Sequence, residues 1–126
     1  MAATGGAGEP PATGDLEVPN ASLTMGSVSA DGFTMRDVGC ALQGGGLNAL
    51  LAGPMLAAAI GSRKAALKKC APKGGEARVL FTMRGGKTEA RAKAATPAVE
   101  ACVVKVMKTV AAVSEGTCAV TIDLRQ

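Results

Sequence analysis

The sequence predicts an α+β domain in which two helices pack on one face of an antiparallel sheet, preceded by an N-terminal β hairpin. Residues on both sides of the pair Gly85-Gly86 alternate in polarity, which is typical of two strands joined by a tight turn. The flanking segments carry apolar residues at helical spacing, and the last segment alternates again. A chain of 126 residues that is 48% apolar and 19% charged has the size and composition of one globular domain.

The N-terminal segment, residues 1–15, is predicted to be a flexible leader or linker. It consists mainly of Gly, Ala, Pro and Thr, a composition that cannot bury a core. A single α+β domain is therefore expected over residues 16–126.

Residues 22–42 are predicted to form the N-terminal hairpin. Apolar residues alternate with polar ones on either side of a turn at residues 29–32. The parity of the apolar positions changes after Met35, and a β bulge near residues 36–37 would explain that change. The pattern leaves open whether this hairpin extends the main sheet or forms a small second one.

The first helix is predicted over residues 54–70. Pro54 is typical of a helix start, because proline is favoured at the first helical position. Alanine-rich sequence follows, and Lys68 and Lys69 lie where cations complement the negative end of the helix dipole. Before this helix, residues 47–51 could form a short separate turn of helix.

The central hairpin has a predicted register. If the two-residue glycine turn sets it, Phe81 lies opposite Ala90 and Val79 lies opposite Ala92, so large side chains meet small ones on one face. The other face gathers five cations with Glu89 as the opposing charge, namely Arg78, Arg84, Lys87, Arg91 and Lys93. This basic face is interpreted either as a solvated sheet surface or as a docking surface for an anionic partner.

The second helix is predicted to begin at Thr96-Pro97, as N-cap and first helical residue. Its apolar residues recur at helical spacing, namely Val99, Cys102, Val103, Val106, Val110 and Val113. Gly116 then breaks the helix. Alternation over residues 118–124 predicts the last strand.

Four cysteines, Cys40, Cys70, Cys102 and Cys118, are predicted to form two disulfides. Their spacing matches neither a redox motif nor a zinc knuckle, although reduced buried thiols or a four-thiolate zinc site remain alternatives. Disulfides imply an oxidising compartment, so a periplasmic or other extracytoplasmic location is expected. The N-terminus lacks the pattern of a signal peptide, which would fit either a mature fragment with an added Met or a compartment other than the expected one. The longest apolar stretch, residues 47–60, is too short to span a membrane.

Most enzyme classes are disfavoured by what the composition lacks. The chain has no histidine, and its ten acidic residues form no evident carboxylate pair. A non-enzymatic protein without a cofactor or a metal is therefore predicted, with a thiol-redox or other small enzyme that uses its cysteines as the alternative. Nucleic acid is not an expected partner, because two phenylalanines are the only aromatic residues available for base stacking.

The order helix, hairpin, helix, strand over residues 62–124 resembles the C-terminal periplasmic domain of TonB-type energy transducers, especially versions in myxobacterial envelope and gliding-motility proteins. The resemblance rests on residues 66–70, on the hairpin at residues 77–94 and on residues 98–103.

The resemblance implies one of the three possible disulfide pairings, Cys70 with Cys102, which leaves Cys40 with Cys118. It also implies an interaction or structural module of the cell envelope. Its expected partner is another envelope protein or an anionic surface, bound by strand addition at a sheet edge or through the basic face.

Overall fold

The computed structural model of the protein describes residues 16–18, 21, 23–43 and 45–126, so the predicted leader at residues 1–15 lies outside the described residues. The α+β class is confirmed, with a five-stranded antiparallel sheet in the order β1-β2-β5-β3-β4. In chain order the elements are β1 (Leu23–Ala30), β2 (Phe33–Leu42), α1 (Gly45–Gly61), α2 (Lys64–Cys70), β3 (Glu76–Arg84), β4 (Lys87–Lys93), α3 (Pro97–Met107) and β5 (Gly116–Asp123).

The last strand of the chain is the centre of the sheet. β5 pairs with β2 on one side and with β3 on the other, so it joins the β1–β2 hairpin to the β3–β4 hairpin. The N-terminal hairpin therefore extends the main sheet, which decides the alternative that the sequence left open.

A β bulge lies in β2. Arg36 pairs with Thr121 and Gly39 pairs with Ala119, so two residues of β2 oppose one residue of β5. Asp37, the first of the two, has a positive φ of 50°. The bulge agrees with the parity change in the sequence, because an extra residue moves the following side chains to the other face.

The helical region between β2 and β3 differs from its prediction. α1 begins nine residues before Pro54 and passes through it, and the chain breaks at Ser62 before α2. The described residues thus form three helices where two were predicted. Pro54 is tolerated because it lies on the exposed face of α1, while Leu56 and Ile60 hold the opposite face in the core. The break is stabilised by the Ser62 hydroxyl, which donates to the carbonyl of Ala59 at 2.6 Å.

α3 begins as predicted and ends early. The Thr96 hydroxyl accepts a hydrogen bond from the backbone N–H of Val99, and Pro97 follows as the first helical residue. The prediction that the helix continues to residue 113 was wrong, because α3 ends at Met107. Val110 is still buried, but its carbonyl accepts a hydrogen bond from the Thr88 hydroxyl of β4 at 3.0 Å. That bond ties the segment after α3 to β4.

Two disulfides are present, in the pairing that the resemblance implied. One joins Cys40 of β2 to Cys118 of β5, which face each other across the strands, and the other joins Cys70 at the end of α2 to Cys102 of α3. No described cysteine is free. The first bond lies fully inside the core, which is built between the sheet and the helices around Phe33 and Phe81.

Two glycines of α1 give a matched test of how this helix packs. A Cβ at Gly61 would lie 2.8 Å from the Cβ of Phe33, whereas a Cβ at Gly53 would meet Val28 at 3.4 Å, an ordinary contact. Gly61→Ala is expected to lower the free energy of unfolding by about 1 to 3 kcal/mol, because the helix must move off a packed ring. Gly53→Ala is expected to raise it by up to about 1 kcal/mol through helix propensity. Urea denaturation of the two variants would contradict this packing if both changed stability in the same direction.

Candidate binding surface

The basic strip lies on the outer face of the β3–β4 hairpin, away from the helices. The predicted register is confirmed, since Phe81 pairs with Ala90 and Val79 pairs with Ala92. Both partners of each pair face the core side, so the alternate residues face outward. The strip consists of Arg84, Lys87, Arg91 and Lys93, of which the first three are exposed and the last is half-buried.

Arg78 does not belong to this strip, so its place in the predicted basic face was wrong. Its side chain is 4% exposed. The guanidinium donates hydrogen bonds to the carbonyl oxygens of Leu16 at 3.0 Å and Asp37 at 2.7 Å, and to the Thr121 hydroxyl at 3.1 Å. It also pairs with the Glu17 carboxylate at 2.9 Å. Leu16 and Glu17 therefore help to cover Arg78 and remove it from solvent.

One carboxylate, that of Glu89 between Lys87 and Arg91 on β4, shares the outer face with the four cations of the basic strip, so most of their charge is not offset. Across the described part of the chain, no ion pair reaches any of its four cations. Two nearby carboxylates are occupied by backbone groups: Glu115 accepts from the N–H of Gly85 at 3.1 Å, and Glu100 accepts from the N–H of Ala94 at 3.0 Å. Arg84 also faces Lys87 directly across the strands. Like charges in that arrangement repel, so an anion placed between them would be stabilised.

The strip borders an open sheet edge. β4 is an edge strand, and the two-residue turn before it makes Lys87 part of a hydrogen-bonded pair with Arg84. The alternation of an antiparallel ladder then directs the backbone groups of Thr88, Ala90 and Ala92 away from β3.

The start of this edge is shielded and its middle is open. The segment after α3 lies beside Thr88, with a cavity of about 370 Å³ between them that Lys108 also lines. Within the described residues, no hydrogen bond is formed by the outward backbone groups of Ala90 or Ala92. Both side chains are small, so an extended chain could approach this part of the backbone closely.

The opposite edge of the sheet carries no charge on its edge strand. β1 is the other edge strand, and its sequence contains no charged residue. An anionic partner strand would therefore find complementary charge beside β4 and none on β1.

Two absences can be stated of the described residues. No group of three or more acidic or cysteine side chains among them could hold a metal ion. None of the described helices combines the length and the apolar character needed to cross a bilayer.

Comparison with known proteins gives no match: no protein-family model, no curated protein and no solved structure is similar to this chain.

Proposed function

We propose that the protein is a non-enzymatic interaction module of the cell envelope that binds an acidic, extended segment of a partner protein along β4. The partner segment would become a sixth strand of the sheet. The observation that carries the proposal is the coincidence of an open edge at Ala90 and Ala92 with the four cations of the basic strip.

The two features supply different parts of recognition. Main-chain hydrogen bonds to the edge give affinity for any extended chain, and they do not discriminate between sequences. The basic strip supplies the discrimination, since alternate side chains of an added strand lie on the same outer face as Arg91 and Lys93. Acidic residues at those alternate positions would be favoured, and basic residues would be repelled.

Two further observations support an envelope location. The disulfides are typical of proteins outside the cytoplasm, where thiols are not kept reduced. The resemblance of residues 62–124 to the C-terminal domain of TonB-type transducers also favours an envelope module that works by contact with another protein.

The proposal is tested with a short peptide that alternates valine and glutamate. Isotope-labelled protein is titrated with it, and amide hydrogen exchange is followed by NMR. We expect the exchange of the Ala90 and Ala92 amides to slow by about tenfold or more, because both become hydrogen-bonded. The same peptide with lysine in place of glutamate, or with alternate backbone nitrogens methylated, is expected not to bind.

A charge-reversal pair isolates the role of the strip. Arg91→Glu is expected to abolish peptide binding, whereas Lys105→Glu, an equal change of charge at an exposed position of α3, should leave binding intact. Unchanged exchange at Ala90 and Ala92 in the presence of bound peptide would contradict strand addition. Equal binding of the methylated peptide would do so as well.

A further inference from the structure

The outward face of α1 is apolar. Leu50, Leu51 and Met55 are 54%, 65% and 56% exposed, and they are the large apolar side chains exposed among the described residues. At about 100° per residue they fall on one side of the helix, opposite the buried positions Leu56 and Ile60. We call these three residues the apolar stripe.

No charge interrupts this face. The seventeen residues of α1 include no charged residue. Soluble helices normally carry charges on the side that faces water, so an outward side with large apolar residues and no charge indicates that this side is covered in use.

Cations follow the apolar stripe along the chain without any acidic residue. The sequence from residue 45 to residue 75 contains five basic residues and no acidic one, namely Arg63, Lys64, Lys68, Lys69 and Lys73. All five are exposed. We call them the basic segment.

The basic segment is held on the helix side of the domain. Leu67 of α2 is buried in the core, and the disulfide from Cys70 to Cys102 ties the end of α2 to α3. α1 packs on β1 and β2, and α3 packs on β4, with their buried residues in one common core. The apolar stripe and the basic segment therefore belong to the same side of the molecule, opposite the basic strip of the sheet.

We propose that this side attaches the protein to an anionic lipid surface. The apolar stripe would enter the boundary between head groups and acyl chains, and the basic segment would lie over the anionic head groups. Attachment to a membrane surface of this kind takes apolar insertion and cationic attraction together, because one of them alone gives only weak and reversible binding.

Two other partners could cover the apolar stripe, a second copy of this chain or an acidic protein, and the charges of the basic segment make both less favourable than a lipid surface. A second copy docked stripe to stripe would cover the apolar residues, but it would bring no negative charge to either basic segment. An acidic protein would satisfy the cations, but a charged surface would leave the apolar stripe without an apolar partner. An anionic bilayer offers negative head groups to the basic segment and, just below them, acyl chains to the apolar stripe.

The test is co-sedimentation with vesicles of phosphatidylcholine containing phosphatidylglycerol, compared with vesicles of phosphatidylcholine alone. We expect binding only to the anionic vesicles, and binding that weakens as salt is raised. Leu51→Gln combined with Met55→Gln, and separately Lys68→Glu combined with Lys69→Glu, should each reduce the partition coefficient by about tenfold or more. All four positions are exposed, so the thermal unfolding temperature should change little.

The matched control is Lys87→Glu combined with Arg91→Glu, which makes the same change of charge on the opposite face of the sheet. This variant should sediment with anionic vesicles as the unaltered protein does, although it would lose the acidic peptide proposed above. The proposal is overturned if the unaltered protein does not sediment with anionic vesicles, or if the variant with Leu51→Gln and Met55→Gln sediments with them as well as the unaltered protein does. It is also overturned if the control variant is the one variant that no longer sediments with them. A dimer in sedimentation equilibrium that the stripe variants abolish would also overturn it, by assigning the apolar stripe to a second copy.

Discussion

Replacing Cys40 and Cys118 together by alanine is expected to lower the free energy of unfolding by about 4 to 5 kcal/mol. The bond closes a loop with a sequence separation of 78 residues, and a cross-link restricts the unfolded chain more strongly as the loop grows. Both cysteines are also fully buried, so the substitution leaves space in the core. Urea denaturation under non-reducing conditions measures the loss.

The second disulfide provides the comparison. Cys70→Ala combined with Cys102→Ala opens a loop with a separation of 32 residues, and a smaller loss of about 3 to 4 kcal/mol is expected. Both of its cysteines are only half-buried. If removal of the second disulfide lowered the free energy of unfolding by more than removal of the first, loop length would not be the main source of stabilisation. Since a domain is typically stable by about 5 to 15 kcal/mol, either loss is a large fraction of the whole.

Arg78→Met is expected to lower the free energy of unfolding by about 2 to 4 kcal/mol. Methionine keeps much of the buried volume but donates no hydrogen bond, so the carbonyl oxygens of Leu16 and Asp37 lose a charged donor. The hydrogen bonds that hold Leu16 and Glu17 against this position should be lost as well. Guanidinium denaturation gives the energy, and hydrogen exchange at residues 16–18 reports the contact.

Two further variants show whether the loss of stability in Arg78→Met comes from the burial of Arg78 or from the removal of a positive charge. Arg91→Met, on the exposed outer face of the same hairpin, should change stability by no more than about 0.5 kcal/mol. Glu17→Gln should cost less than Arg78→Met, because the Glu17 side chain is 63% exposed and a pair open to solvent contributes little. Equal effects of Arg78→Met and Arg91→Met would contradict the buried role of Arg78.

The candidate surface could be predicted from the sequence only in part. The alternation of cations in the central hairpin predicted the basic strip, because a two-residue turn and a period of two fix which residues share a face. Nothing in that local pattern distinguishes Arg78 from Arg84. Leu16, the first large apolar residue after the leader, was the available signal, since Leu16 is buried and its carbonyl accepts a hydrogen bond from Arg78.

The local sequence pattern does not predict the apolar stripe. Interpreting Pro54 as a helix start places Leu50 and Leu51 outside the main helix. An interior proline removes one backbone donor and its ring crowds the carbonyl four residues earlier, at a cost of about 3 kcal/mol, which the packing of the opposite face of α1 on the core offsets. Residues 47–60 are apolar or small apart from Asn48, so their composition contains no periodic signal that would extend the helix across Pro54.

The sequence by itself determined the features that depend on neighbours along the chain. These are the hairpin register around Gly85-Gly86, the bulge near Asp37 and the Thr96 cap, each of which is set by the conformational preferences of a few adjacent residues. Only the tertiary structure decided that β5 lies at the centre of the sheet, that α3 stops at Met107 and that Arg78 is buried. Each of these depends on contacts between residues far apart in the chain, and the free energy of such contacts is not contained in any local pattern.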